Sequence, residues 1–322
     1  MGKVVVVGSF NVDHVWTVAT LPQPGETLSG RYRSGPGGKG FNQATAAARA
    51  GADTGFVCAL GDDVGGQLVR TLAGADGIDL RAGTSAEPTG TAGIYVDVDG
   101  RNCIVIGAGA NATLTAAFVD QQASAIAAAA VVLCQLESPF DAVRAAFGHA
   151  RRAGATTMLN PAPADAIAPG ELLSLADVIT PNETEFCAQL ARHQGGQLAA
   201  DTLAALDDAQ LHAACRHLLP RGTVVITLGA AGCVVSHADD GLRGDMLPFY
   251  RVEAARVHAV DTTGAGDAFN GALAASLADA PPGWPFVDHV RFASRYAALS
   301  TERAGASAAM PLRDEVLARF AG

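Results

Sequence analysis

The sequence predicts a three-layer α/β fold, a mostly parallel sheet with helices on both faces, plus a small β-sheet lid. Three observations predict it. The run Val4-Val-Val-Val-Gly8 is continuous, β-branched and stopped by glycine, the pattern of a strand buried on both faces. Similar runs recur at residues 54–59, 131–134, 156–159, 177–180 and 223–227, and helix-like stretches lie among them at 42–50, 66–73, 116–129, 140–153, 183–192 and 208–219. That alternation is the signature of parallel strands with crossover helices, whose ligands collect beyond the carboxyl ends of the strands. Finally, 322 residues at 49% hydrophobic and 17% charged can bury one large core and do not resemble a disordered chain. A single domain over 1–322 is therefore expected.

Two segments interrupt the alternation. Residues 14–33 contain Pro22, Pro24 and Gly25, and residues 90–106 carry two β-rich runs around Asp99-Gly100, a strong hairpin signal. Together they could form the extra sheet, either a lid over a site or a decorative edge. Residues 191–207, with Gly195-Gly196 and little periodicity, read as a surface excursion.

Charge and cysteines narrow the function. The net charge is −10 and no basic cluster stands out in the sequence, which argues against a nucleic-acid binder. It does not exclude an anionic nucleotide, because backbone dipoles and a metal ion can build a local positive site. The six cysteines form no C-x-x-C pair and mostly sit in apolar surroundings, so buried thiols in a reducing cytoplasm are expected. The start Met1-Gly-Lys-Val runs into a strand-like segment without the features of a signal peptide, and no apolar run approaches a membrane span of ~20 residues.

The chemistry concentrates in Asp261-Thr-Thr-Gly-Ala-Gly-Asp267. A short strand is expected to end near Val260, followed by this turn and an apolar helix from about Ala268 to Leu277. Gly264, Ala265 and Gly266 would let the backbone approach a ligand, with N–H groups pointing outward at a helix N-terminus, where the dipole favours negative charge. Asp267 beside such a cradle has two readings: a helix-capping carboxylate, or a base that removes the proton of an attacking hydroxyl. The turn alone leaves both open.

This turn is similar to the C-terminal signature of the ribokinase-like (pfkB-type) carbohydrate kinases. The N-terminal signature has its counterpart in Gly35-Pro-Gly-Gly-Lys-Gly-Phe-Asn42-Gln-Ala. The intervening Gln135-Leu-Glu137-Ser, Asn160-Pro-Ala-Pro163, Thr180-Pro-Asn-Glu-Thr-Glu185 and Thr227-Leu-Gly-Ala-Ala-Gly232, and the opening Gly8-Ser-Phe-Asn11-Val-Asp13, fall in the same order. The resemblance covers nearly the whole chain.

The resemblance implies that Asn11, Asp13, Gly38, Lys39, Asn42 and Glu137 bind a sugar, with Asp267 as general base and residues 264–267 as the anion hole. Taken alone, the same residues could form an Asx-turn, a glycine-rich loop with a solvated lysine, and a helix-start glutamate. Asn182 and Glu185 match the family's Asn-x-x-Glu, associated with magnesium and phosphate, the metal contact running through water if magnesium keeps its hydration; otherwise they cap a helix. Thr227, Gly229, Gly232, Gly266 and Ser294 fall at the family's ATP-binding positions. Asp261, Thr263, Ser300, Arg303 and Gly305 match a site for potassium or another monovalent cation, where this chain has Ala309 in place of the usual serine. Phe41 also departs from the family, which uses a small residue there; it either fills the core or alters the sugar pocket.

The implied activity is transfer of the ATP γ-phosphoryl to the 5-hydroxyl of D-ribose, with Mg2+ on the nucleotide, in a cytoplasmic homodimer clasped through the lids. Ile94 and Ile106 are candidate lid contacts to sugar, or ordinary strand residues. The alternatives are a related kinase for another sugar or a nucleoside, and a non-catalytic sugar sensor.

Overall fold

The computed structural model describes residues 2–195, 198–239, 241–281 and 283–321. The strands among them are β1 (Lys3–Val7), β2 (Asn11–Thr17), β3 (Arg31–Gly37), β4 (Asp53–Gly61), β5 (Asp79–Ser85), β6 (Gly90–Val96), β7 (Asn102–Gly107), β8 (Val131–Cys134), β9 (Thr156–Leu159), β10 (Val178–Ile179), β11 (Thr223–Thr227), β12 (Cys233–His237) and β13 (Phe249–Val252). The helices are α1 (Lys39–Arg49), α2 (Val64–Ala75), α3 (Ala116–Gln121), α4 (Ala123–Ala127), α5 (Phe140–Ala153), α6 (Gly170–Leu173), α7 (Glu183–Gln194), α8 (Asp208–Leu218), α9 (Ala265–Asp279), α10 (Phe286–Ser300) and α11 (Arg313–Arg319).

Nine strands form one sheet in the order β13-β12-β11-β10-β9-β8-β1-β4-β5. It is parallel from β11 to β5 and antiparallel at β11-β12-β13. The valine run of β1 shows why both faces need cover. Val4 and Val6 join a core with Phe41, Phe56, Ala272 and Tyr296, while Val5 and Val7 join a second core with Phe147, Ile179 and Phe186. Each core is roofed by helices, so alternate side chains of one strand leave water in opposite directions.

The second sheet has the order β3-β2-β6-β7. Strand β2 pairs antiparallel with β3 and parallel with β6, and β6 pairs antiparallel with β7. The expected segments thus meet, although residues 18–30 lie outside the ladder and β2 begins earlier, at Asn11. The β6-β7 connection is a five-residue loop rather than a tight two-residue turn: Val96 pairs with Asn102, and the Asp97 carboxylate accepts from the N–H groups of Asp99 and Arg101.

Other expectations need correction. No strand forms before Val260; instead the N–H groups of Val260 and Asp261 both donate to the Thr301 carbonyl, which anchors the segment to a loop. Helix α9 starts at Ala265, three residues earlier than expected. The stretch 116–129 breaks into α3 and α4 at Gln122. Helix α7 runs on to Gln194 and closes with Gly195 at φ 68°; Gly196 lies outside the described residues. The rest of that excursion is anchored, because a 3-10 segment at Ala200–Ala205 buries Leu203.

Helices α1 and α9 cross at very short range. A Cβ on Gly271 would lie 2.4 Å from the Gln43 carbonyl oxygen and 2.5 Å from Cβ of Ala46, so only glycine permits the approach. Gly271 is one turn beyond Asp267, and the crossing therefore sets α1 side chains against that carboxylate.

Candidate active site

Asp267 stands in the first turn of α9 and is buried. Its Oδ2 accepts from Asn42 Nδ2 at 2.9 Å and its Oδ1 from Gln43 Nε2 at 2.9 Å. Gly264, at φ 76°, is the left-handed residue that turns the chain into the helix. The Ala265 N–H donates back to the Thr262 carbonyl at 3.1 Å, so the turn itself occupies one of the four expected anion-hole groups. Gly266 and Asp267 belong to the first-turn N–H groups that a helix leaves without intrahelical partners.

Lys39, Asn182, Glu185, Thr227, Gly264, Ala265, Gly266 and Asp267 line one cleft of about 170 Å3, together with Asn160, Thr180, Thr262 and Asn270. Burial works against the Lys39 ammonium, but the carboxylates of Asp267, Glu137 and Glu185 outweigh it and hold the charge on. Burial raises the Glu185 carboxyl above its usual range, helped by Asp267 and opposed by the Asn182 N–H and by Lys39.

Asn182 and Glu185 form a capping box: Asn182 Oδ1 accepts from the Glu185 N–H at 2.8 Å, and Glu185 Oε2 from the Asn182 N–H at 2.9 Å. The capping reading is thus real, and it leaves Glu185 Oε1 uncommitted at the cleft. No three His, Cys, Asp or Glu side chains among the described residues are grouped to hold a metal.

On the sugar side, Asn11 and Asp13 follow β1 and lie within β2. Asn11 Oδ1 accepts from Asn111 Nδ2 at 2.8 Å. Asn111 also grips the Phe10 backbone at N–H and carbonyl, both at 3.0 Å, a role that sequence reasoning missed. Asp13 is pushed up to about 6, first by burial and then by Glu137 and Asp267, against the pull of Arg33. Gly38 (φ 85°) leads into α1, where Glu137 Oε2 accepts from the Lys39 N–H at 3.0 Å and from Ser9 Oγ at 2.5 Å. Asn42 Oδ1 is buried and has no protein partner among the described residues.

Phe41 does not reach this region. It is buried, edge-on to Phe10 at 5.3 Å and tilted against Phe56 at 6.0 Å. Cross-strand pairing puts Asp13, Ala92 and Ile106 on one face of the small sheet, with Val15, Ile94 and Ile104 beside them. His14, Trp16, Tyr32 and Tyr95 stack on the opposite face, where Tyr32 and Val105 are exposed.

Ser294 lies outside the Asp267 cleft, in a second cleft of about 470 Å3 bordered by residues 251–255, Arg291 and Arg295. Gly232 lies against the edge of the second cleft, since a Cβ there would meet the Val252 carbonyl oxygen at 2.0 Å. Gly229, at φ 53°, starts the short 3-10 turn that Gly232 closes. Arg251 is far in sequence from Arg291 and Arg295, which stand one helical turn apart on α10, so the three did not read as a basic cluster.

Around Asp261, Oδ1 accepts from the Thr263 N–H and Oδ2 from the Gly305 N–H, each at 2.9 Å. Burial opposes ionisation, but a hydrogen bond from the Thr263 side chain, then these backbone bonds and Arg33, hold the carboxyl below its usual range. Ser300 turns its hydroxyl back to the Ala297 carbonyl, and the Arg303 guanidinium pairs with Glu315, so the side chains of both face away from the loop. Ala309 is buried.

The cysteines behave as expected where their surroundings are described. Five are buried, and burial pushes the Cys58 and Cys134 thiols up strongly; Cys103, on the edge strand β7, is exposed.

Comparison with known proteins shows the family. The family model described as "pfkB family carbohydrate kinase" matches residues 1–313. A Haemophilus influenzae ribokinase is 39% identical over 315 residues, covering 97% of this chain and 96% of that one. A Mus musculus ribokinase is 37% identical, covering 97% and 93%. The structure of Arabidopsis thaliana ribokinase complexed with ribose and ATP superimposes with a TM-score of 0.84 at 31% identity, covering 99% of this chain and 98% of that one.

Proposed function

The chain belongs to the pfkB family of carbohydrate kinases, and on that premise we propose that it transfers the γ-phosphoryl of ATP to the 5-hydroxyl of D-ribose. One observation carries the proposal: a buried carboxylate, gripped on both oxygens by amide donors, opens a helix whose first-turn N–H groups serve the same cleft. A capping role alone would not recruit Asn42 and Gln43 from a second helix. The naming of relatives in bacteria and a mammal as ribokinases supports ribose as the acceptor.

Asp267 takes the proton of the sugar hydroxyl, whose oxygen attacks the γ-phosphorus as ADP leaves. The N–H groups of Gly264, Gly266 and Asp267 receive the charge on the transferred phosphoryl. Lys39, held cationic by three carboxylates, adds to that field. Asn11, Asp13, Gly38, Asn42 and Glu137 hold the sugar, and a sugar hydroxyl would satisfy the lone Asn42 oxygen. Thr227, Gly229, Gly232 and Ser294 border the ATP path, with the base in the second cleft. Magnesium neutralises the nucleotide phosphates when bound, and Asn182 and Glu185 would hold it through water; a cation here also relieves the cost of burying Glu185 near Asp267. Asp261 and carbonyls of the 300–309 loop would hold potassium.

The small sheet acts as a lid that excludes water from the transfer. Its Asp13 face, with Ile94 and Ile106, covers the sugar, and its aromatic face pairs with a second chain in a homodimer. A cytoplasmic enzyme fits this chemistry, and among the described residues no helix is long and apolar enough to cross a membrane.

A panel of pentoses, hexoses and nucleosides with ATP tests the acceptor: kcat/KM for D-ribose should exceed that for every other acceptor. Turnover of another sugar or a nucleoside ahead of ribose would overturn the acceptor, and ribose binding without ADP formation would overturn the enzyme.

A further inference from the structure

Gln43 is completely buried and does not line the cleft, yet it touches Asp267. Its amide is fully engaged. Nε2 donates to Asp267 Oδ1 at 2.9 Å and to Asn160 Oδ1 at 3.0 Å, while Oε1 accepts from Gln135 Nε2 at 2.5 Å.

The direction of this chain follows from its far end. Asn160 sits against the Thr180 carbonyl, 3.0 Å from Nδ2. A backbone carbonyl can only accept, so Asn160 must turn its NH2 there and its oxygen toward Gln43. The Gln43 atom facing that oxygen must then be the NH2 group, and its second hydrogen falls on Asp267 Oδ1. Reversing the Gln43 amide would set oxygen against oxygen at both Asn160 and Asp267, and nitrogen against nitrogen at Gln135. A fixed backbone carbonyl thereby dictates which oxygen of Asp267 receives a donor.

We infer that Gln43 is a positioning residue for phosphoryl transfer: oriented by Asn160, it holds a donor on Oδ1 of Asp267 and leaves Oδ2 as the oxygen that takes the substrate proton. The inference rests on Asp267 being the base. The sugar O–H bond breaks, the new O–H forms at Oδ2, and the hydroxyl electron pair makes the bond to phosphorus as the bond to ADP breaks. Asn42 occupies one lone pair of Oδ2 and leaves the other for this proton. The close crossing at Gly271 holds Gln43 within reach, since its own carbonyl is the atom nearest that glycine. The charged groups around Asp267 are Lys39 on α1, Asp13 on β2 and Glu185 on α7, and none of them supplies the Oδ1 contact.

Two substitutions separate positioning from packing, because they change the pH–rate profile in opposite senses. Gln43→Met removes the donor, and a carboxylate that loses a donor is easier to protonate. Its kcat, normalised to folded protein, should fall about tenfold at pH 7.5, with KM for ATP within about twofold and the acid limb moved up by about one pH unit. Gln43→Glu keeps the volume and can still accept from Gln135. It restores a donor only while a proton is shared with Asp267, so its activity should be highest on the acid side and fall as the pH rises and both carboxyls ionise. Gln135→Met disturbs the same buried chain but spares both Gln43 donor bonds, and should keep the wild-type acid limb.

If both Gln43 variants keep the wild-type profile, or lose activity only in proportion to folded protein, Gln43 is core filler and the inference fails. If Gln43→Met does not fold, a Gln43→Glu profile with the wild-type shape overturns the inference by itself. Asp267→Asn in parallel tells the two ideas apart: full activity there removes the base itself, whereas its inactivity with unshifted Gln43 profiles removes only the positioning role.

Discussion

Asp267 and Asp261 lie in one glycine-rich turn but are held by opposite means. Asp267 is buried and gripped by side-chain amides from α1. Asp261 is more open and accepts backbone N–H groups of Thr263 and Gly305. Side-chain donors fix the orientation of a carboxylate while leaving a lone pair for chemistry. Backbone donors tie two loops together. On the proposed mechanism, the difference separates an acid group that reacts from one that braces.

The sharpest way to break this distinction is Asp267→Asn. It should leave folding and ATP binding near wild type while kcat drops by at least ~10². Near-normal turnover would show that the two aspartates do not divide the work in this way. Next comes Asp261→Ala, which frees the Gly305 loop. We expect kcat to fall about tenfold and potassium stimulation to disappear, by analogy with the loss of other buried charged hydrogen bonds. A potassium titration that matches wild type would leave Asp261 as a brace alone.

Asp13 gives a smaller effect with a definite sign. Burial, and then Glu137, push its carboxyl up from the ordinary 3.8 to about 6, so the fold favours the neutral form. That contribution is complete below about pH 4 and is lost as the pH rises through about 6. Asp13→Asn should therefore stabilise the sugar-free protein at pH 7.5 by about 1–2 kcal/mol, after allowing for partial exposure, while raising KM for ribose. Thermal melts from pH 4.5 to 7.5 check it; an equal pH dependence in both proteins would contradict the assignment. Phe41→Leu should change activity least: about 1 kcal/mol of stability lost and the order of sugar preference unchanged, since the ring packs against Phe10 and Phe56. A changed order in the sugar panel would mean that the core position reaches the pocket after all.

Much of the site was legible because its parts are contiguous. Lys39 and Asn42, Asn182 and Glu185, and residues 261–267 each sit in a short run whose composition fixes a helix start. What stayed hidden acts across the fold. Gln43, Gln135, Asn160 and Asn111 are polar residues with no local task, and their partners come from other elements. The available signal at Gln43 was a long polar side chain just before the small-residue run of α1, on a helix that is buried almost throughout. The strand expected before Val260 failed for a related reason: its N–H groups find the Thr301 carbonyl, a partner no local pattern reveals. The large sheet was easier, because β1 carries its two-sided burial in its own composition.

The start of β2 at Asn11 has a mechanical consequence. The small sheet, on our proposal the cover of the sugar, carries Asn11 and Asp13, and β3 runs through Gly37 almost directly into Lys39. If that sheet swings as a plate, its pivot lies at the binding groups themselves. Cover and grip are then a single degree of freedom: the enclosure cannot open without loosening the hold on the product, nor close without first finding something to hold.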